Sequence, residues 1–489
     1  MKRIYLDNNA TTQVDEQVLE AMRPWQAEMY GNPSSLHFMG DEARTAVERA
    51  RATLAGLIGA RPEEIIFTAS GTEGNNLCIN GVVEACALGN FPSPWPGGGW
   101  EGVGLQEEHQ PQSHPPCQTY PFPLGKKEDS SSSKIAEAPA RHYKDRGHII
   151  TSAIEHPSVL ETCRALEKLS FEVTYLPVDT EGFVSPADLE TALQPDTILV
   201  SIMHANNEIG TIQPLAELSA VIRRFRKEKQ GAVSPTPYAL RPTPFFHSDL
   251  VQSFTKLPCH VDDLGLDLAT FSAHKFHGPK GAGFIYKRKG VALTPQTHGG
   301  SHEQNLRAGT LNVPGIVGMA TAAEINAFGL APSPARGEGW GGVGEVGWER
   351  WDGRGGVGEV GLSREELPSH HLRELQEYLL RELLTIPSSH LNGPADLARR
   401  LPNNINVSFA GIEGEHLLLA LSAHGICVST GSACSATSSE ISPVLRAISC
   451  PPEYIESNIR VSTSKHTTLD ELNTFLSVFR NILALQRHN

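Results

Sequence analysis

Apolar positions along this chain follow two periods. At helical spacing stand Val18, Leu19 and Met22, with Asp15 placed to cap their helix. A second helix follows Gly40, carries Ala43, Ala46, Val47, Ala50, Leu54, Leu57 and Ile58, and stops at Gly59. Short apolar runs of strand length come next, at residues 64–68, 148–152, 172–176, 197–203 and 268–271. Helical segments separate several of them, one opening at Ser70-Gly71-Thr72-Glu73 and one running through Val159, Cys163 and Leu166. Apolar strands separated by helices predict an α/β fold with a mostly parallel sheet covered on both faces. Such sheets bind ligands beyond the carboxyl ends of their strands.

The pattern lapses in three stretches, about residues 90–142, 230–244 and 330–362, which are rich in Pro, Gly or Ser. The third contains G-G-V-G-E-V-G twice, at 341–347 and 355–361, and the first and third share P-S-P followed by a Trp/Gly-rich run. Composition of this kind buries too little apolar surface to offset its ordering entropy, so these are expected to be disordered insertions. Roughly 400 residues remain without them, a normal size for a two-domain enzyme.

Charge removes some functions from consideration. With 41 Lys and Arg against 55 Asp and Glu, the formal charge is −14, which argues against a general nucleic-acid or anionic-membrane surface. No run approaches the roughly 18 apolar residues of a spanning helix, and M-K-R-I-Y-L-D-N-N-A lacks a signal-like apolar region, so a cytoplasmic location is expected. The eight cysteines form no C-x-x-C pair, so neither a zinc ribbon nor a disulfide framework is indicated.

Candidate chemistry collects at predicted strand ends. In T-F-S-A-H-K-F-H-G-P-K-G, residues 270–281, Lys275 sits on a turn beside Ser272 and His274. An amine so placed suits a Schiff base with a carbonyl cofactor whose phosphate the neighbouring donors could hold. Ser70-Gly71-Thr72 before a helix is a second phosphate-type site, because free N–H groups and the positive dipole end face the ligand. His156, Asn207 and Asp249 fall at further strand ends. Singly they read as a loop histidine, a turn asparagine and a capping aspartate, but together they describe a site. An aspartate facing a pyridine nitrogen keeps that ring protonated and electron-withdrawing, as pyridoxal phosphate requires.

These residues lie within a longer series: Y-L-D-N-N-A-T-T at 5–12, G-N-P-S-S-L-H at 31–37, I-E-H-P at 154–157, A-N-N-E-I-G at 205–210, S-A-H-K-F-H-G-P-K-G at 272–281, R-A-G-T at 307–310 and G-S-A-C-S at 431–435. The series resembles the NifS/IscS-like cysteine desulfurases of the class V pyridoxal-phosphate-dependent aminotransferase family, over nearly the whole chain except the three insertions. The resemblance implies the type I fold of pyridoxal-phosphate-dependent transferases. Residues 14–328 would form the large cofactor domain, and 1–13 with 329–489 a smaller α+β domain carrying the cysteine loop. It implies that Lys275 holds the cofactor and moves the substrate's α-proton, that His156 stacks on the ring and assists, and that Asp249 pairs with the pyridine nitrogen. Asn207 and Gln252 would steady the phenolic oxygen, while Gly71, Thr72, Ser272 and His274 would hold the phosphate. Thr310 would reach the phosphate in a second subunit of a homodimer, and Arg460 would clamp the substrate carboxylate.

The resemblance further implies that Cys434 attacks the sulfur of L-cysteine, leaving a persulfide and L-alanine. The sulfur would pass to an iron-sulfur scaffold or another acceptor protein. Small flanking residues, Ser432, Ala433, Ser435 and Ala436, place this thiol on an accessible loop. No resident metal is implied; Cys434 would meet a cluster only on a partner. Leu250 and Val251 depart from the family pattern, which usually has a small alanine directly after the aspartate. A scaffold disabled by its insertions, and an enzyme acting on selenocysteine, are the competing readings.

Overall fold

The computed structural model describes residues 3–87, 147–232, 244–327, 368–431 and 441–487. Twelve strands can be followed among them: β1 Ile4–Tyr5, β2 Ile65–Thr68, β3 His148–Ser152, β4 Glu172–Leu176, β5 Thr197–Ser201, β6 Phe245–Asp249, β7 Leu268–Ser272, β8 Gly283–Lys287, β9 Ser389–Leu391, β10 Asn404–Phe409, β11 Ile426–Cys427 and β12 Asn458–Ser462. Seven of them make one sheet in the order β2-β8-β7-β6-β5-β3-β4. Only β8 runs against the rest, pairing antiparallel with β2 and β7 while every other pair is parallel.

Alternation along these strands builds two cores. Phe67, Ile150, Val200, Phe246, Phe271 and Phe284 face one side, packed by residues of the helices Phe38–Leu57 and Val313–Ala327. Ile66, Ile149, Leu199, Leu268 and Ile285 face the other, against the helices Gly71–Ala87 and Pro157–Lys168. A residue shift of one would exchange the faces, so the apolar runs set the register. The strands are not purely apolar: buried His247 bridges Ser201 and Thr270 at 2.8 and 3.0 Å, and buried His148 bridges Thr197 and Thr174 at 2.9 and 2.8 Å. Both imidazoles are matched across neighbouring strands, which offsets the cost of burying them.

A third core surrounds the antiparallel sheet β12-β10-β9 and the parallel pair β1-β11. It contains Phe409, Phe475, Phe479, Leu379 and Leu417, and also Ile4 and Leu6 from the start of the chain. Asp7 bridges to Ser462 beside it, so the residues after Leu6 are delivered toward the large sheet.

Several expected elements shift by a few residues. The strand expected at 197–203 ends at Ser201. The helix expected after Gly40 starts earlier, at Phe38, with the His37 side chain accepting from Gly40 N–H. Asp15 does precede the helix Glu16–Ala27, but its side chain makes no capping bond; Lys465 and His466 take both carboxylate oxygens at 2.6 and 3.0 Å. Leu19, expected on the buried face, is half exposed. Of the second insertion, residues 230–232 belong to the helix Leu215–Ala232, and residues 233–243 lie outside the described residues. The other two insertions lie outside the described residues.

Candidate active site

Because β2, β3, β5, β6 and β7 run in one direction, their carboxyl ends share an edge of the sheet. From β3 the chain passes to Glu155 and His156, from β5 to Asn207, and from β7 to Ser272, His274 and Lys275; β6 ends on Asp249 and β2 leads into the helix beginning at Gly71. The edge is completed from outside the sheet. Lys275 Nζ donates to the carbonyl oxygens of Asn9 and Ala10 at 2.7 and 2.8 Å, and Thr12 donates to the His274 carbonyl through both its amide and its hydroxyl.

Asp249 is buried, accepting from Asn75 Nδ2 at 2.8 Å through Oδ2 and from the Val251 amide at 2.9 Å through Oδ1. His156 stands at the N-terminus of the helix Pro157–Lys168, with Nδ1 2.8 Å from Ser158 Oγ. Burial holds its imidazole below the usual histidine range; Asp249 opposes that shift and Lys275 reinforces it. His274, against Thr11 Oγ1, is pushed down to about 3 by burial, then by Lys275, Lys280 and Lys256. Behind Lys275, the Lys256 ammonium donates to the carbonyls of Gln252 and Lys275, and burial followed by the Lys275 charge lowers it to about 7.

The helix Gly71–Ala87 opens with Ser70 Oγ accepting from Glu73 N–H and Glu73 Oε2 accepting from Ala69 N–H. Gly71 lies under Val251: a Cβ there would meet Val251 Cγ2 at 2.8 Å and Ser272 Cβ at 3.6 Å. Leu250 points into the core and is fully buried, so the departure after Asp249 is absorbed on one side by packing and on the other by a glycine. Arg307 clamps Glu73 at 2.8 Å, which ties the 298–310 segment to the helix start, and Thr310 is exposed on that segment.

Gln252 Nε2 donates to Asn9 O at 3.0 Å, while Asn207 O accepts from Asn9 Nδ2 and Arg460 Nη1, each at 3.0 Å. Arg460 is fully buried in β12, and its Nη2 is paired with Asp7 at 2.6 Å. Its guanidinium, expected to clamp a substrate, is thus already partly engaged. Arg460 Nε, Gln252 Oε1 and Asn75 Oδ1 are buried without a hydrogen-bond partner among the described residues. Buried polar atoms left unpaired at one edge are costly, and a polar ligand would satisfy them. Together with a glycine-opened helix N-terminus they fit a flat, hydrogen-bonding ring bearing a phosphate. Cys434 lies outside the described residues. The described chain stops at Gly431 and resumes at Ile441, and both sides meet Glu208: Ser442 Oγ donates to its Oε2 at 2.6 Å, and a Cβ on Gly431 would lie 3.4 Å from that oxygen.

The family model for class V aminotransferases matches residues 4–90, 130–337 and 365–475. The chain belongs to the class V aminotransferase family. Within it, the chain is 42% identical to a cysteine desulfurase IscS of Dictyoglomus turgidum, over 99% of this chain and 95% of that one. It is 38% identical to a cysteine desulfurase IscS of Methanosarcina thermophila, over 100% and 93%. The solved structure of a NifS-like protein superposes with a TM-score of 0.72 at 33% identity, covering 99% of this chain and all of that one. SspA in complex with cysteine gives 0.65 at 28% identity over 96% and 100%. The chain is therefore an enzyme of the cysteine desulfurase type, with the α/β fold of the NifS-like proteins. The family model passes over residues 91–129 and 338–364, within or at the edge of the first and third Pro/Gly-rich stretches.

Three features of this class V site were not assigned from sequence. Asn9 and Ala10 hold Lys275 through backbone carbonyls, which no side-chain pattern announces, although they lie in the Y-L-D-N-N-A-T-T run. Asn75 and Ser158 were hidden as ordinary helix residues, seven and six positions beyond the ends of β2 and β3. Asp15, His277 and His466 place ligand-type atoms within 4.8 Å of one another. Lys465 already neutralises that carboxylate, and nothing else marks the cluster as a cation site.

Proposed function

We propose that this chain takes sulfur from L-cysteine with the help of pyridoxal 5'-phosphate, producing L-alanine and a persulfide on Cys434 that is passed to an acceptor protein. The observation that carries the reading is the placement of Lys275 Nζ at the carboxyl ends of a parallel sheet, with Asp249 and His156 within electrostatic reach, in a chain whose relatives are cysteine desulfurases. Pyridoxal phosphate bound at this edge supplies an electron sink for the pair left when the substrate's α-proton departs.

Lys275 Nζ anchors the cofactor and moves that α-proton. Asp249, held by Asn75 and the Val251 amide, would face the ring nitrogen and keep its proton in place. Gln252 and Asn207 would take the phenolic oxygen, and the buried Oε1 of Gln252, without a partner among the described residues, supports a polar neighbour there. The amides opening the helix at Gly71 and Thr72, with Ser272 and His274, would hold the phosphate. His156 would cover the ring and exchange a proton at Nε2. Arg460 orients the substrate carboxylate through its Nε edge, which has no partner among the described residues, with Asp7 yielding part of its pairing. The Cys434 thiolate attacks the substrate sulfur and forms an S–S bond as the Cβ–S bond breaks; that bond's electron pair passes to Cβ, which takes up a proton, so the carbon skeleton leaves as L-alanine and the sulfur stays on Cys434. The bond from Ser442 to Glu208, with Gly431 close to the same carboxylate and next to the Asn207 and Arg460 pair, supports delivery of this thiol to the site.

The functional unit is a homodimer, in which Thr310 completes the neighbouring subunit's phosphate site. Tyr30, Leu36 and Phe38, exposed at 70, 98 and 73% within one short stretch, supply apolar surface for that association. Iron-sulfur cluster assembly or thiolation is the destination of the sulfur, and the cytoplasm is the proposed location. No helix among the described residues is long and apolar enough to cross a membrane. Residues 14–328 serve as the cofactor domain, with 1–13 and 329–489 as the smaller one. The test is turnover of L-cysteine by the purified protein. Alanine and protein-bound persulfide should form, and Cys434→Ala should make almost none. Normal turnover by Cys434→Ala, or a chain that neither binds pyridoxal phosphate nor releases sulfur, would overturn the reading.

A further inference from the structure

One chain of hydrogen bonds at this site has a fixed direction. The Ser158 amide donates to His156 Nδ1 at 3.1 Å, and a backbone amide can only donate, so Nδ1 carries a lone pair and the ring proton resides on Nε2. Ser158 Oγ, 2.8 Å from the same nitrogen, must therefore donate its hydroxyl proton to it. The lone pairs of Ser158 Oγ are left to accept from Asn75 Nδ2 at 2.8 Å. The second hydrogen of that amide goes to Asp249 Oδ2, also at 2.8 Å. Reversing the Asn75 amide would aim its oxygen at the Asp249 carboxylate, so its orientation is set as well.

We propose that Asn75 and Ser158 are positioning residues that fix His156 as the Nε2–H tautomer and hold the Asp249 carboxylate in register with it. This rests on His156 and Asp249 belonging to the site described above. The consequence is that His156 gives and takes its proton at Nε2 alone. A proton on Nδ1 would face two donors and the positive end of the helix Pro157–Lys168. The charged groups facing the ring are Asp249, from the end of β6, and Lys275, from beyond β7. Glu155, the preceding residue, is turned away into Ser152 Oγ and the Met203 amide. The single hydroxyl proton of Thr162 is shared between Asn76 Oδ1 on the facing helix at 3.0 Å and the Ser158 carbonyl of its own helix at 2.8 Å, which links the two helices that carry the relay.

Nitrogen NMR of the full chain labelled at histidine, without cofactor and with His156 assigned through a His156→Gln variant, reads the tautomer directly. The expected result is a protonated Nε2 and a bare Nδ1 through the neutral range. In Ser158→Ala the ring should acquire charge at a pH about one unit higher, the shift expected on losing one hydrogen bond to its neutral form. Ser158→Thr should restore the original value. Asn75→Ala should shift His156 in the same direction and, in the cofactor-loaded protein, also move the pH dependence of the cofactor's absorbance. An Nδ1–H tautomer, or Ser158→Ala and Asn75→Ala titrations that match the parent, would overturn the proposal. Because the NMR reading needs no turnover, its failure is distinguishable from a failure of the desulfurase assignment.

Discussion

Glu155 is fully buried one residue before the candidate ring-covering histidine. Its Oε1 accepts from Ser152 Oγ at 2.6 Å and the Met203 amide at 2.8 Å, while Oε2 has no partner among the described residues. Burial outweighs the two donors and raises its carboxyl to about 8, with the Asp249 charge adding to the rise. The folded protein thus holds this proton more tightly than the unfolded chain does. The associated stability is complete below the ordinary carboxylate value and is lost as pH climbs through about 8. Buried His204 and His247, lowered to about 4 and 3 by burial, act in the opposite sense and at lower pH. Comparing parent and Glu155→Gln isolates the glutamate: the parent should lose melting temperature between weakly acidic and mildly alkaline pH, and the variant should lose less. Parallel curves would show that Glu155 is ionised in the fold. At the same scale, Lys275→Ala should retain the fold, shown by an unchanged far-ultraviolet dichroism spectrum, but lose both the visible absorbance of bound cofactor and alanine formation.

The element that most depends on its neighbours is the start of the helix Gly71–Ala87. Its glycine sits 2.8 Å, measured from a notional Cβ, from Val251 Cγ2, closer than real side chains come. Gly71→Ala should therefore cost about 1–3 kcal/mol in urea unfolding through overpacking, and should weaken phosphate and cofactor binding in parallel. The cause is one methyl on Val251, so Gly71→Ala combined with Val251→Ala should recover most of the loss. Additive losses in the double variant would place the strain elsewhere. The glycine that opens this helix could be read from sequence as a phosphate-type opening. That it also answers Val251, some 180 residues later, could not, because the two meet only when β6 lies near β2 in the sheet.

At the scale of the molecule, the connection between the large sheet and the C-terminal core passes through buried cations. Arg400 is inaccessible to solvent and donates to three backbone carbonyls, Pro394 at 2.7 Å, Ile209 at 2.9 Å and Asn392 at 2.7 Å. Burial lowers it to about 9, slightly offset by Glu181. Removing it leaves three acceptors unpaired, so Arg400→Ala should destabilise the chain by about 3–5 kcal/mol in urea unfolding. A loss below about 1 kcal/mol would mean that water replaces the guanidinium. Such a residue gives no sequence signal, since either arginine of A-R-R-L-P, residues 398–402, reads as surface.

What the chain determined by itself was the periodicity and therefore the layers. Strands such as His148–Ser152 and Glu172–Leu176 appear with the bounds their apolar runs set, because side chains alternating across a buried sheet leave little freedom of register. The motif residues at strand ends were legible for the same reason: a parallel sheet places every carboxyl end on one edge, so Asp249, His156 and Lys275 had to meet once the direction of the strands was known. Tertiary structure alone decided how the protons and charges there are distributed. Asn9 and Ala10 reach Lys275 only because the chain start is pinned to β11 and β12, and Asn75 reaches Asp249 only because the helix after β2 packs across β6. Hydrogen-bond direction and burial depend on atoms brought together from distant parts of the chain. The spacing of residues carries no record of them.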